Sequence, residues 1–365
     1  MPEAKGSPLA RAVARTFGTP AVVIDLDIVE RNVERLQAAC DAAGLANRPH
    51  IKTHKSPVLA TLQRDRGARG ITCQKLGEAE VMAAAGLDDI VISYNLLGEE
   101  KTGRLARLLR DGVTVRPCAD NSVAVDTYAE AARRAERTMG VLVECDTGRE
   151  RAGVTTPGEA IALARRIAGS PGLRFDGLLL YPPDGRMPET QRFLDEVKAG
   201  LAEYGLCPSI VSTGGTPNLR HLGGITGATE HRSGTSIFND RMMMACGAAT
   251  LQDCALAVYA TVVSRAAPER GILDSGSKTL TADPGGGLAG YGLIREYPKA
   301  RIKGFAEEHG MLDLSGSDKK PEIGETVSIV PNHVCVVVNM VDQLVTVRGE
   351  EIVGTLPVAA RGKIV

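Results

Sequence analysis

The stretch AVVIDLDIVERNVERLQAACDAAG (residues 21–44) begins as a β-branched run and continues as a helical pattern. Val29, Val33, Leu36 and Cys40 recur at i, i+4, i+7 and i+11, one face of a helix that Gly44 closes. The alternation then continues to about residue 245, through PHIK (49–52), ITCQ (71–74), DIVISY (89–94), VTVRPC (113–118), VLVECD (141–146), GLLLY (177–181), SIVSTG (209–214) and TEHRSG (229–234). Between these runs, EAEVMAAAG, EKTGRLARLLRDG and EAIALARRIAGS carry helical spacing and close at glycine. Repeated β-α units of about 20–35 residues mean parallel strands joined by crossover helices. Eight or nine units favour a closed (β/α)₈ barrel over an open doubly wound sheet, and no G-x-G-x-x-G joins the first strand to the first helix. Past about residue 250 the pattern changes to strand-like runs such as ALAVYATVVSRA, TVSIVPN, VCVVVNMV and QLVTVRG, which predicts a separate β-domain.

The chain has 365 residues, enough for roughly two domains, and 43 basic against 44 acidic side chains. That balance, with 3% aromatic residues and no Trp, argues against a nucleic-acid partner, since neither phosphate neutralisation nor base stacking is provided for. No apolar run approaches the roughly 18–20 residues of a bilayer span, so no membrane partner is expected. The eight Cys are scattered without a C-x-x-C pair, which reads as reduced thiols of a cytoplasmic enzyme, one of them a candidate ligand. The N-terminus has no apolar core of a secretory signal and reads as an arm over residues 1–19.

Barrel active sites form where the strands end at their C-terminal side. That rule selects Lys52, Gln74, Tyr94, Asp146 to Arg151, Tyr181, Ser212 to Thr216 and Gly234 to Ser236, parts suited to an anionic, carbonyl-bearing ligand. Most lysines are solvated surface charges, as Lys55 is expected to be, but an amine partly buried in a barrel mouth can stay neutral and form a Schiff base. STGGTP (212–217) and RSGTS (232–236) are consecutive loops offering unobstructed N–H groups and hydroxyls; such turns are common in any protein, but their position as the last two loops matches that of barrel phosphate sites. The glycines of ADPGGGLAGYG (282–292) lack a Walker lysine and read as a flexible loop. In PNHVCVVVN, His333 and Cys335 sit two apart in what reads as a strand, so both would share one face. Core packing is the ordinary reading of such a pair; imidazole plus thiolate also suits Zn²⁺, and two protein ligands leave positions open for water or substrate. Glu307, Glu308 and His309 form a further polar cluster, an acid/base group or a solvated turn.

Taken together, TPAVVIDLD, RPHIKTHK, ITCQKLGEAEVMAAAG, VECDTGRERAGV, STGGTP, TEHRSGTSIFND, ILDSGSK, EEHG and PNHVC resemble the fold-type III pyridoxal phosphate (PLP) enzymes of the D-threonine aldolase and D-serine dehydratase group, relatives of alanine racemase. The resemblance implies that Lys52 carries the cofactor, that Arg151 faces its pyridine nitrogen, and that Gln74 also lies in the cofactor site. Tyr181, Thr213, Gly214, Gly215, Gly234 and Thr235 are implied to hold the phosphate. It also implies a divalent metal on His333 and Cys335, Zn²⁺ favoured, with Mn²⁺ or Mg²⁺ as alternatives. The family fold is an α/β, (β/α)₈ barrel followed by a C-terminal β-domain that the first strand joins. This assigns residues 20–248 to the barrel, the run 21–27 to the β-domain sheet, and residues 249–365 to the β-domain. A homodimer acting on a small D-amino acid is the implied assembly.

The implied chemistry is cleavage at Cα or Cβ of a D-β-hydroxy-α-amino acid. Lys52 would serve as the base at Cα, and a metal would assist departure of the β-hydroxyl. The aldolases resemble one another in carrying aspartate two residues after the metal histidine, where the dehydratases carry cysteine, as here at Cys335. They also tend to place histidine after the phosphate tyrosine, whereas this chain reads Tyr181-Pro182-Pro183. Dehydration is therefore the expected reaction, with retro-aldol cleavage and racemisation as alternatives. The long β-domain counts against a PLP carrier without activity.

Overall fold

The computed structural model describes residues 5–365, which fall into two units. Arg35–Lys52, Ser56–Gly234 and Gly362–Val365 make up one; the residues up to Glu34, Thr53–Lys55 and Thr235–Arg361 make up the other. Strand β1 (Ala21–Asp25) belongs to the second unit. The first unit contains β2 (Ala46–Asn47), β3 (Ile71–Cys73), β4 (Asp89–Ile92), β5 (Thr114–Ala119), β6 (Met139–Cys145), β7 (Leu173–Leu180), β8 (Ile210–Gly214) and β9 (Glu230–Arg232). These eight strands are all parallel, in the order β2-β9-β8-β7-β6-β5-β4-β3. A parallel bridge between His50 and Thr72 joins the two end strands and closes the ring. Every residue of β6 is buried, as expected where helices cover a parallel sheet that also encloses its own core. Val91, Cys118, Leu142 and Leu179 form one such core cluster.

PHIK does not form the strand read from the sequence. Pairing ends at His50, and Ile51–Thr53 is a 3₁₀ turn. There the Lys52 N–H turns to the His50 Nδ1 at 3.4 Å instead of to a neighbouring strand.

A chain of ions, buried at Arg48, Glu230 and Asp176 and half-buried at Asp89 and Arg116, joins the strands. Arg48, 1% exposed, reaches Glu230 at 2.7 Å and Asp89 at 2.9 Å, while Arg116 ties Asp89 (2.8 Å) to Asp176 (3.0 Å). Removing one member strands its partner in a medium that cannot solvate it. Arg48→Ala is thus expected to lower the unfolding free energy by about 3–5 kcal/mol. Urea denaturation reads the loss, and a change below about 1 kcal/mol would mean that these ions behave as surface pairs do.

The second unit is built on a mixed sheet. Its remaining strands are β10 (Leu256–Ala267), β11 (Arg270–Leu273), β12 (Leu293–Ile294), β13 (Arg301–Phe305), β14 (Gly310–Asp313), β15 (Thr326–Val330), β16 (Gln343–Arg348) and β17 (Glu351–Pro357). The main path is β13-β14-β11-β10-β1-β16-β17, with β15 pairing β10 and β12. Strand β1 lies antiparallel to β10 and parallel to β16. Val23, Ala257, Tyr259, Val345 and Val347 form a core on one of its faces together with Ala10 and Val13 of the helix Pro8–Phe17. Residues 28–34 and 235–248, assigned from the sequence to the barrel, group with this unit, as does the run 21–27 assigned to its sheet. The bonds explain it: Asn32 Nδ2 donates to the Ile237 and Asp253 carbonyls, and Ala255 N–H to the Phe238 carbonyl.

PNHVCVVVN is likewise not a strand, for Val334–Val338 is a short helix. Four valines favour extended backbone, but tertiary bonding overrides that preference. The Asp240 carboxylate accepts the Val334 N–H at 3.1 Å, and the i, i+3, i+4 spacing of Val334, Val337 and Val338 buries all three. No helix among the described residues is long and apolar enough to cross a membrane.

Candidate active site and metal centre

The C-terminal ends of the barrel strands gather the groups selected by sequence. Lys52, half-buried, lies in the turn after β2 beside His50, which is 8% exposed. Burial, the Lys52 cation and the Arg232 cation together hold the imidazole pKa well below its ordinary value, so His50 is neutral. Its Nδ1 accepts from Lys52 N–H, which puts the ring proton on Nε2, facing Gln74 Oε1 and Ser93 Oγ, each at 3.2 Å. Gln74 is fixed in turn by donating to the Ser93 carbonyl at 2.9 Å and through its backbone N–H to Glu78 at 2.7 Å.

Asp146 organises the loop after β6 by accepting N–H groups of Gly148, Arg149 and Arg151. Burial opposes its charge, but these bonds prevail and lower its pKa. The ordered loop places the Arg149 guanidinium 3.8 Å from the centre of the Tyr181 ring and Arg151 at 5.4 Å. Arg149 also donates to the Tyr181 and Pro182 carbonyls. Arg151, exposed, adds a positive charge that lowers the pKa of both His50 and Glu144.

The Gly214-Gly215 pair permits a close approach that side chains would forbid. At Gly215, where φ is +105°, a Cβ would lie 2.2 Å from the Tyr181 ring; at Gly214 one would meet Arg232 at 3.0 Å. Thr216 Oγ1 and Ser233 Oγ are 2.8 Å apart, linking the two loops. Thr213 differs from its neighbours, because its hydroxyl donates to the Glu230 carbonyl at 3.2 Å and is engaged by backbone.

Sequence reasoning missed His50, Ser93 and Arg232. Arg232, 6% exposed, donates to Ser212 Oγ at 2.5 Å and to the Leu180 carbonyl at 2.9 Å. Burial lowers its pKa, while Glu230 and Glu144 support its charge. A signal existed, since Glu230 and Arg232 are two apart in a strand and so share a face.

Gly234 ends the barrel unit, and Thr235 opens the other. There, Thr235 Oγ1 lies 3.9 Å from Cys335 Sγ and Thr53 Oγ1 at 3.2 Å. His333 Nδ1 is 3.0 Å from Asp240 Oδ2, and its imidazole also hydrogen-bonds Cys335. Burial disfavours the imidazolium, but these two partners outweigh it and push the pKa up to about 11. Among the described residues no group of three or more His, Cys, Asp or Glu side chains is arranged to hold a metal. Glu307 and Glu308 pair with Lys278 on the surface, the solvated reading of that cluster.

Residues 24–241 match the alanine racemase N-terminal domain family, more than half of the chain. The chain belongs to that family of fold-type III PLP enzymes. Residues 255–347 match a serine dehydratase domain. A D-threonine aldolase of Arthrobacter sp. is 33% identical over 99% of this chain and 96% of its own. A D-threo-3-hydroxyaspartate dehydratase of Delftia sp. is 32% identical over 88% of this chain and 91% of its own. The solved structure of a D-threo-3-hydroxyaspartate dehydratase, a cysteine-to-alanine mutant in the metal-free form, has a TM-score of 0.86 at 28% identity, covering 97% of this chain and 99% of that one. The expected family and architecture are thus borne out, and the relatives are lyases of D-β-hydroxy amino acids.

The residues present fit PLP. An amine stands in the mouth with cationic groups, and the glycine pair leaves backbone where a Cβ would intrude. They also fit a divalent cation, through one imidazole and one thiol whose sulfur lies near two hydroxyls. Gly215→Ala forces either the left-handed backbone or the Tyr181 ring to yield, at a cost of about 1–3 kcal/mol. It is expected to weaken PLP retention about tenfold or more, measured by dialysis against graded cofactor; unchanged retention would remove this loop from the phosphate site.

Proposed function

We propose that the protein is a PLP- and divalent-metal-dependent lyase of D-β-hydroxy-α-amino acids that dehydrates them to 2-oxo acids and ammonia. Cys335 beside His333 is the observation that carries dehydration over retro-aldol cleavage, with the metal-free cysteine mutant of the dehydratase relative in support. PLP supplies an electron sink at Cα, and a divalent cation, Zn²⁺ in this reading, supplies Lewis acidity toward the departing hydroxyl.

The remaining roles belong to the chain. Lys52 Nζ would hold the cofactor through its aldehyde and, as a free amine, would take the proton from substrate Cα. His50, neutral and anchored to Gln74 and Ser93, adds no second positive charge beside that amine. Arg151 and Arg232 would supply permanent positive charge toward the cofactor ring and an anionic substrate. The glycine loops and Tyr181 hold the phosphate. A cytoplasmic homodimer completes the reading.

Incubating D-serine, D-threonine and D-3-hydroxyaspartate with the metal-loaded enzyme tests it. Formation of 2-oxo acid and ammonia is expected. Glycine with an aldehyde as the only products would transfer the assignment to retro-aldol cleavage, and loss of optical rotation without either would transfer it to racemisation.

A further inference from the structure

We infer that Asp240 is the positioning residue of the metal centre, selecting the tautomer in which His333 offers Nε2 to the ion. The inference rests on the assignment of His333 and Cys335 as metal ligands. Asp240 is 0% exposed, and each of its carboxylate oxygens has a defined task. Oδ1 accepts the Met243 N–H at 2.9 Å, capping the helix Arg241–Ala245. Oδ2 accepts two bonds, from His333 Nδ1–H at 3.0 Å and from the Val334 N–H at 3.1 Å.

The second bond is what makes the first selective. Because the Val334 N–H fixes Oδ2 as an acceptor, the imidazole can meet it only with a protonated Nδ1. The proton that a cation must displace is therefore the one on Nε2, and the lone pair so released makes Nε2 the ring nitrogen available to the ion. A carboxylate behind a metal histidine fixes ring orientation and raises ligand basicity. The Val334–Val338 helix begins at the same carboxylate, so one side chain orients the imidazole and starts the turn that carries Cys335.

Asparagine is nearly isosteric with aspartate but has only one acceptor. With its oxygen kept on the Met243 N–H, the amide NH₂ faces Val334 N–H and His333, and the ring must turn to the tautomer with hydrogen on Nε2. Metal affinity should fall about 10–100-fold. Asp240→Ser retains a capping oxygen for Met243 and loses the carboxylate, so the same loss is expected where the asparagine variant does not fold.

The test uses PLP-loaded protein stripped of divalent ions and titrated with Co²⁺ alone. Wild type should bind with a thiolate-to-cobalt absorption band that Cys335→Ala abolishes. Asp240→Asn, at unchanged melting temperature and PLP absorbance, should need about 10–100-fold more Co²⁺. Once saturated, it should keep the thiolate band while its ligand-field bands match those of His333→Ala. A general structural defect would disturb both signatures. Wild-type affinity and wild-type bands in both Asp240 variants would overturn the assignment of Asp240. Failure of wild type to bind Co²⁺ through Cys335 would instead overturn the metal-site reading beneath it.

Discussion

Lys52→Ala will leave the barrel folded and the enzyme inactive, its rate lowered by more than about 10⁴-fold. The effect is large because two roles end together, the covalent hold on the cofactor and the proton acceptor at Cα. Lys52 is itself half-buried, in a 3₁₀ turn whose other residues, Ile51 and Thr53, are buried, so its truncation opens no closed apolar cavity and the melting temperature should shift little. PLP is then retained only by its phosphate and ring contacts, and extended dialysis should remove it together with the yellow absorbance. A variant that kept its colour and more than about a tenth of its activity would show that another amine holds the cofactor. Lys55 is the neighbour to examine; its backbone carbonyl accepts the Ala360 N–H, and it takes a left-handed conformation at φ 51°.

Removal of the metal ranks second. Chelation, or His333→Ala, should lower dehydration by about 10²–10⁴-fold, the several kcal/mol that a Lewis acid contributes to a departing hydroxide. The unassisted reaction must expel hydroxide into a site that cannot stabilise it. PLP absorbance should persist, because the lysine and the glycine pair assigned to the cofactor do not include His333 or Cys335, and of the residues assigned to the phosphate only Thr235 neighbours Cys335. Adding Zn²⁺ back should restore chelated wild type but not His333→Ala. Full activity after exhaustive chelation would leave the pair as structural and remove the argument for dehydration that rests on Cys335.

Part of this site could be read in the sequence because barrel geometry turns a position in the chain into a position in space. Lys52, Gln74, Tyr181 and the STGGTP loop all lie at strand ends, and the parallel order of β2 to β9 brings those ends together. Arg232 escaped notice because it precedes the glycine of its loop, and only pairing with β8 reveals that it bonds Ser212. His50 escaped because its role depends on hydrogen bonds to Lys52, Gln74 and Ser93 that only the folded barrel brings within reach. The helix at Val334–Val338 was illegible for a related reason. Valine spacing there fits either structure, and the deciding acceptor, Asp240, is far away in sequence. Local pattern found the chemistry-bearing residues, while long-range bonding determined how they are held.

The account depends most on covalent capture of PLP by one lysine. Purified protein should be reduced with borohydride, digested and mapped by mass spectrometry for the pyridoxyl-phosphate group. The account expects that group on Lys52 alone, with the visible absorbance of the native protein lost on reduction. Its appearance on a different lysine, or on none in protein supplied with PLP, would contradict it.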